Sequence, residues 1–109
     1  MDDVCGAMVQ MDSSGKIIFW NQSAEEMLGY SEADVLGKNG LETIFIENNE
    51  GENNLLKVID TGEVYYSFDS CVLSKSGEMQ PVALVTSPLN DDNQEIYGIT
   101  ILISNVLMI

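Results

Sequence analysis

The chain has 109 residues, which is the size of one domain built around one hydrophobic core. It has 18 acidic residues against four lysines, with no arginine and no histidine, so its net charge is −14. This charge excludes a nucleic-acid binder, which must neutralise phosphates, and disfavours an anionic membrane surface as partner. Without histidine, Ser-His-Asp and Cys-His catalytic arrangements are impossible, so the domain is not expected to be an enzyme.

The first predicted elements are two strands that end at a corner. Apolar residues at 7–11 and 17–20 flank the sequence Asp-Ser-Ser-Gly, a pattern typical of a β-hairpin. Asn21 follows at once. Asparagine is among the best helix N-caps, because its side chain accepts a hydrogen bond from a free N–H of the first turn. We therefore expect a helix to begin directly after Asn21.

Short helices are predicted beyond this corner. Apolar residues recur at helical spacing over 24–28, and Gly29 is placed to end the helix in the left-handed conformation. Ser31 and Asp34 have the spacing of a capping box, which predicts a second short helix that Gly37 ends.

The middle of the chain alternates between helix and loop. Residues 41–46 predict another turn of helix, and the polar stretch 47–54 predicts a loop. A further helix is expected over 55–59, with Gly62 at its end.

Three longer strands complete the chain. They are predicted at 64–73, 81–89 and 96–106, joined by turns at 74–77 and 90–93, which is the pattern of an antiparallel meander. Together with the first hairpin, they predict an α+β fold in which short helices pack on one face of a five-stranded antiparallel sheet.

From about Gly6 to Val106, the sequence resembles a PAS domain. The resemblance is carried, in chain order, by residues 12–17, 19–21, 24–31, 35–38, 76–77, 81–82, 88–91 and Gly98. The order and spacing of these segments are typical of the family. The resemblance implies one PAS-like domain over residues 1–109, with a flank at 1–5 and the start of an output linker at 107–109.

The resemblance also implies a role in signal transduction. Such domains are sensory or interaction modules, usually one segment of a histidine kinase or another signalling protein. Their helices and inner sheet face enclose a pocket, their outer sheet face often forms a homodimer, and signals tend to leave through the last strand. The output positions here are Asn105, Val106 and Leu107, where many sensor kinases carry Asp-Ile-Thr. Asn21 and Ser31 are expected to be structural caps.

The candidate pocket residues are mostly large and apolar, and they suit a small apolar ligand. They are Trp20, Met27, Leu28, Leu36, Ile44, Phe45, Val58, Ile59, Phe68, Val85 and Ile101. The same residues could instead fill a closed core. Alternation alone does not decide which strand faces point inward, because a shift of one residue exchanges the two faces.

Two hypotheses for function follow. In the first, the chain is the sensory input domain of a cytoplasmic signalling protein, most often a histidine kinase, acting by small-ligand binding or by rearrangement of a homodimer linked to an effector domain. In the second, it is a ligand-free homodimerisation module with a filled core. Packing of the inner face distinguishes the two, since a filled core leaves no cavity.

The chain lacks the residues that usually bind or react with the known cofactors of the family. Haem is not expected, because haem-binding members typically use an axial histidine. Flavin photosensors of the family carry Gly-x-Asn-Cys, whereas residues 37–40 here are Gly-Lys-Asn-Gly, so the flavin–cysteine adduct is excluded. Cys5 and Cys71 make neither a disulfide framework nor a metal site. In a reduced cytoplasm, Cys71 is expected to be a buried, inert thiol.

The acidic composition has two explanations. The carboxylates either coat a solvated surface and maintain solubility, or they are an adaptation to high salt. Only adaptation predicts strong stabilisation of the fold by molar KCl.

Overall fold

The computed structural model describes residues 6–45, 55 and 57–105. They form one five-stranded antiparallel sheet with short helices, which confirms the predicted α+β class. The strands are β1 (Ala7–Asp12), β2 (Ile17–Trp20), β3 (Tyr65–Leu73), β4 (Met79–Asn90) and β5 (Ile96–Asn105). The helices are α1 (Gln22–Leu28), α2 (Glu32–Val35) and α3 (Gly40–Thr43), and a further helical stretch occupies 57–61.

The strand order is β2-β1-β5-β4-β3, so the first hairpin lies beside the last strand. The predicted meander of β3, β4 and β5 is confirmed. Ile101 of β5 lies between Val9 of β1 and Thr86 of β4. This register fixes which side chains share a face, and all three of these point to the side that the helices cover.

The three hairpin turns have the same backbone hydrogen bonds. They span 12–16, 74–78 and 91–95. In each turn the first residue donates its N–H to the carbonyl of the fifth, and the fourth donates to the carbonyl of the first. The fourth residue has a positive φ, which is 92° at both Gly15 and Gly77 and 66° at Gln94. Glycine suits this conformation best, so the last turn is built with a less suitable residue.

α1 begins and ends as predicted, but α2 and α3 differ from the prediction. α2 ends at Val35 with Leu36 as its C-cap, whereas the sequence predicts that Gly37 ends it. α3 begins at Gly40, one residue before the predicted start, because the Asn39 Oδ1 accepts from the N–H groups of Leu41 and Glu42. Gly62 ends the stretch 57–61, and its N–H donates to the Val58 carbonyl. The predicted loop at 47–54, the flank at 1–5 and the positions from Val106 onward lie outside the described residues.

One apolar core lies between the sheet and the helices. Alternate residues of the two strands β1 and β5 are completely buried in it: Ala7, Val9, Met11, Ile99, Ile101 and Ile103. Within the described part of the chain, no helix is long and apolar enough to cross a bilayer.

Candidate functional site

Asn21 fixes the helical layer to the sheet. Its Oδ1 accepts from the Ala24 N–H at 2.9 Å, which caps α1 as predicted, and also from the Met8 N–H at 3.0 Å. The Asn21 N–H donates to the Met8 carbonyl in return. One side chain therefore starts the helix and also bonds to β1, which explains why asparagine suits the corner.

The far end of α1 is attached to the β3–β4 hairpin. The Lys75 N–H donates to the Leu28 carbonyl at 2.8 Å, and the Gln80 side-chain amide donates to the Met27 carbonyl at 3.2 Å. These bonds satisfy carbonyls that a helix end leaves unpaired. The helix is thus held at both ends, and the layer that covers the inner sheet face has a fixed position.

An ion pair also links α2 to the β3–β4 hairpin. The Lys75 ammonium lies 3.2 Å from the Asp34 carboxylate, which closes the capping box with Ser31. The Ser31 N–H first, and then the Lys75 ammonium, hold the pKa of the Asp34 carboxyl below its ordinary value of 3.8. Because both charged side chains are exposed, the pair contributes little to stability.

Six of the predicted pocket residues are buried together in the core: Trp20, Leu28, Ile44, Phe45, Val58 and Ile101. Met27 and Ile59 are partly buried and pack against them. The indole N–H of Trp20 donates to the Tyr30 carbonyl at 2.9 Å, and the two rings meet edge to face at 6.2 Å. The polar atom of the largest core side chain is therefore satisfied.

Three predicted pocket residues do not face the core, and their inward orientation is corrected. Phe68 is 74% exposed, because it follows the inward-facing Ser67 in β3, and the β-bulge between Ser67 and Ser70 then places Ser70 on the inner face. Leu36 is 43% exposed because α2 ends at it with extended backbone. Val85 is half-buried on the outer face, since the residues on either side of it in β4 point inward.

The buried polar side chains of the described residues are all hydroxyls, and all lie on β3, on β4 or directly after β3. They are Ser67, Ser70, Ser74 and Thr86. The Ser67 and Ser70 oxygens lie 2.6 Å apart and share a hydrogen bond. In contrast, Thr86 Oγ1 has no hydrogen-bond partner among the described residues. Sequence reasoning missed this group, although Thr86 continues the inward alternation of Val82 and Leu84.

Two clefts open at the edges of the helical layer. The first has a volume of about 170 Å³ and is lined by Lys57, Val58, Thr61, Glu63, Val64 and Tyr65. Tyr65 on β3 is the register partner of Thr86 on β4. The second has a volume of about 200 Å³ and is lined by Trp20, Asn21, Gln22, Glu25 and Glu32. The first cleft is therefore lined by the register partner of Thr86, whose hydroxyl is unpaired among the described residues.

Gly40 stands where the flavin photosensors of the family carry their cysteine. A Cβ at this position would lie 2.5 Å from Met11 Sδ and 3.1 Å from the Ile17 side chain. No side chain fits there unless the core shifts. The packing thus gives a steric reason, in addition to the chemical one, against a cysteine adduct at this position.

The outer sheet face carries a continuous apolar row. Met8, Leu102, Val85 and Tyr66 are successive register partners on β1, β5, β4 and β3, and we name them the outer-face row. Leu102 is 39% exposed and Tyr66 is 60% exposed. The flanking rows hold uncharged side chains: Gln10, Thr100 and Ser87 on one side, Ser104 and Ala83 on the other. The described side chains in the middle of this face are therefore uncharged.

Other predicted site residues occupy peripheral positions. Cys71 is half-buried opposite Pro81, so the prediction of a buried thiol is corrected. Asn105 is exposed at the end of β5, while Val106 and Leu107 lie outside the described residues. Over residues 6–45, 55 and 57–105, no group of His, Cys, Asp and Glu could hold a metal ion.

Among the described residues, helices cover one face of a single antiparallel sheet and leave the other face uncovered, an arrangement that defines one class of α+β domain. The family model of the PAS fold matches residues 1–106, and the chain belongs to the PAS family. Among curated proteins, no significant sequence match was found.

Solved structures with similar folds are also PAS domains. One is the PAS domain of a protein from Colwellia psychrerythraea, at 20% identity, covering 94% of this chain and 87% of that chain, with a TM-score of 0.83. Another is the PAS domain of histidine kinase ThkA, at 23% identity, 92% and 98% coverage and a TM-score of 0.70. A third is the PAS domain of nitrogen regulation protein NR(II) from Vibrio parahaemolyticus, at 15% identity, 95% and 92% coverage and a TM-score of 0.77. At these identities the likeness shows the fold alone.

Proposed function

We propose that this chain is the sensory input module of a cytoplasmic signalling protein of the histidine-kinase type, and that it works as a homodimer joined through the outer-face row. The observation that carries the proposal is the row itself, with one apolar side chain from each of four neighbouring strands. Contiguous exposed apolar surface of this kind typically marks an interaction site. The PAS domain of a histidine kinase among the similar folds supports the choice of parent protein.

Charge supports a second copy as the occupant. Each chain carries a net charge of −14, so two copies repel each other over most of their surfaces. The described side chains of the outer-face row and its flanking rows are uncharged, so these parts of two acidic copies can approach without opposing carboxylates. A twofold axis through the middle of a sheet face would pair the same patch with itself, as a closed dimer requires.

The position of β5 supports a route for the signal. The strand contributes Leu102 to the outer-face row and Ile101 to the core, and it ends at Asn105. A change at either face would therefore move the strand that leads to the predicted output positions. In this proposal, the domain transmits a signal by rearrangement and catalyses no reaction.

The ligand-free interaction module is the second candidate, and the burial of six predicted pocket residues in one core supports it. Both candidates use the dimer, and they differ in what the core holds. Native mass spectrometry of the freshly purified domain separates them. A stoichiometric extra mass supports the sensor, and a bare chain mass supports the interaction module.

Sedimentation velocity tests the dimer itself. We expect Tyr66→Glu to convert the dimer to a monomer, because it places a charge within the apolar contact, at the β3 end of the outer-face row. The matched control is Tyr97→Glu, which makes the same exchange at a 46% exposed tyrosine outside the row and should leave the dimer intact. A wild-type chain that stays monomeric at high concentration, or equal effects of both variants, would refute this interface.

A further inference from the structure

Thr86 carries a polar group that the fold does not use. Its side chain is 0% exposed on the inner face of β4, and Oγ1 has no hydrogen-bond partner among the described residues. Burying a hydroxyl without a partner is unfavourable, and buried polar groups in proteins are nearly always bonded. Valine has nearly the same shape and would remove this cost. The threonine therefore suggests that a hydrogen-bonding partner enters the core at this point.

The surroundings of Thr86 define the chemistry of that partner. The nearest positions on its face are Ile101 on β5 and Tyr65 on β3, which are its register partners, and Leu84 two residues earlier on β4. The other buried polar side chains of the described residues are serine hydroxyls, and none is charged. An ionic ligand would lose its hydration without gaining a counter-charge, so the partner must be uncharged. A hydroxyl can donate or accept, so the partner needs only one hydrogen-bonding group beside an apolar body.

A cleft at the edge of the helical layer lies next to the register partner of Thr86. The cleft of about 170 Å³ beside Val58 is lined by Tyr65, the cross-strand neighbour of Thr86. An apolar cavity of about 150 Å³ can bind benzene, so the cleft is large enough for a small organic molecule. Displacement of the Tyr65 side chain would connect the cleft with the hydroxyl.

We propose that Thr86 Oγ1 is the hydrogen-bond anchor of an interior site for a small uncharged molecule with an apolar body and one hydroxyl or amide group. The molecule enters between Val58 and Tyr65 and lies against Ile101. The inference rests on the proposed sensory function and deepens it by naming the ligand class. It is independent of the dimer, which uses the opposite face of the sheet.

The test uses probes that differ in one group. Benzyl alcohol, toluene, benzoate and benzylammonium are titrated into the ¹⁵N-labelled chain, and amide chemical shifts are followed. We expect benzyl alcohol to give saturable shifts at Tyr65, Thr86 and Ile101, and both ions to give none. Thr86→Val should weaken benzyl alcohol binding about tenfold, which corresponds to the loss of one buried hydrogen bond. Thr86→Ser should retain it, and toluene should bind both variants equally.

Several results would overturn the proposal. One is the absence of saturable shifts with benzyl alcohol, and another is equal binding of benzyl alcohol to wild type and Thr86→Val. A third is a urea midpoint of the probe-free Thr86→Val chain that is clearly below that of wild type, because the hydroxyl then bonds a structural water instead. Sedimentation of the probe-free chain is measured in parallel. A retained dimer with no probe binding refutes the ligand site alone, and a monomer that binds the probe refutes the dimer alone.

Discussion

The inner and outer faces of the sheet both carry apolar side chains, and in the described part of the chain the helices cover only the inner one. Ile101 and Leu102 show the contrast within two residues. Ile101 is 0% exposed beneath the helical layer, whereas Leu102 is 39% exposed in the outer-face row. Because successive side chains of a strand point to opposite faces, neighbours in sequence can serve the fold and the partner separately. The contrast shows that the covering layer, more than the residue type, decides what an apolar side chain does.

The largest expected effect comes from emptying the covered face. Ile101→Ala should lower the free energy of unfolding by about 2–5 kcal/mol, because it leaves a cavity in packed core. Urea denaturation monitored by circular dichroism measures this. The matched control is Leu102→Ala, which should cost below about 1 kcal/mol in the monomer while weakening the dimer. Equal losses of stability from the two variants would remove the distinction between the faces.

The dependence of dimerisation on salt concentration tests the proposed contact at the outer face. Two copies that meet through uncharged rows repel each other elsewhere, and added ions screen that repulsion. We expect the dimer dissociation constant to fall several-fold between about 0.05 and about 0.5 M KCl, measured by sedimentation equilibrium. A dimer that dissociates as salt rises would be held by ion pairs instead. Thermal melts in the same series show whether molar KCl strongly stabilises the fold, as adaptation to high salt predicts.

The assignment of faces also depends on the register between β4 and β5, which the 91–95 turn sets. Gln94 has a φ of 66° there, a conformation that is strained for any residue with a Cβ. We expect Gln94→Gly to raise the free energy of unfolding by roughly 0.5–1 kcal/mol. Gly77→Ala is the control, because its Cβ would meet no atom within 4 Å and its φ is 92°. That variant should destabilise the chain, and a gain of stability from it would contradict the reasoning.

The smallest expected effect concerns the Asp34 carboxylate, which caps α2 and pairs with Lys75 of the β3–β4 hairpin. The pKa of the Asp34 carboxyl is lowered in the folded chain, first by the Ser31 N–H and then by Lys75. A lowered folded pKa means that this contribution is present above the ordinary value of 3.8 and is lost as pH falls through the folded value. We therefore expect the stability difference between wild type and Asp34→Asn to shrink between about pH 5 and about pH 3. Urea midpoints across this range measure the stability difference. A difference that grows on acidification would contradict the lowered pKa of Asp34.

Local signals in the sequence predicted the elements well. Asn21, Gly29 and the pair of Ser31 with Asp34 mark helix ends through bonds within a few residues, so no knowledge of the tertiary fold is needed to recognise them. The meander followed from tight turns between apolar runs for the same reason.

The errors arose where distant parts of the chain decide the outcome. The phase of β3 changes at the bulge between Ser67 and Ser70, which depends on pairing with β4. No residue type in β3 marks this change, so the sequence did not show that Phe68 points outward. Thr86 reads as an ordinary strand residue until the register places it inside the core. The outer-face row likewise exists only once four strands are aligned, because its members are far apart in sequence.

The most direct test of the two-face account is solvent paramagnetic relaxation of side-chain NMR signals with a soluble gadolinium chelate, at low and high protein concentration. The account predicts that the Met8 and Leu102 methyl groups and the Tyr66 ring are relaxed strongly in the dilute monomer and become protected as concentration rises. The Ile101 methyl groups should be protected at every concentration. Relaxation of the outer-face row that does not change with concentration, or protection that develops on a different surface, would contradict the account.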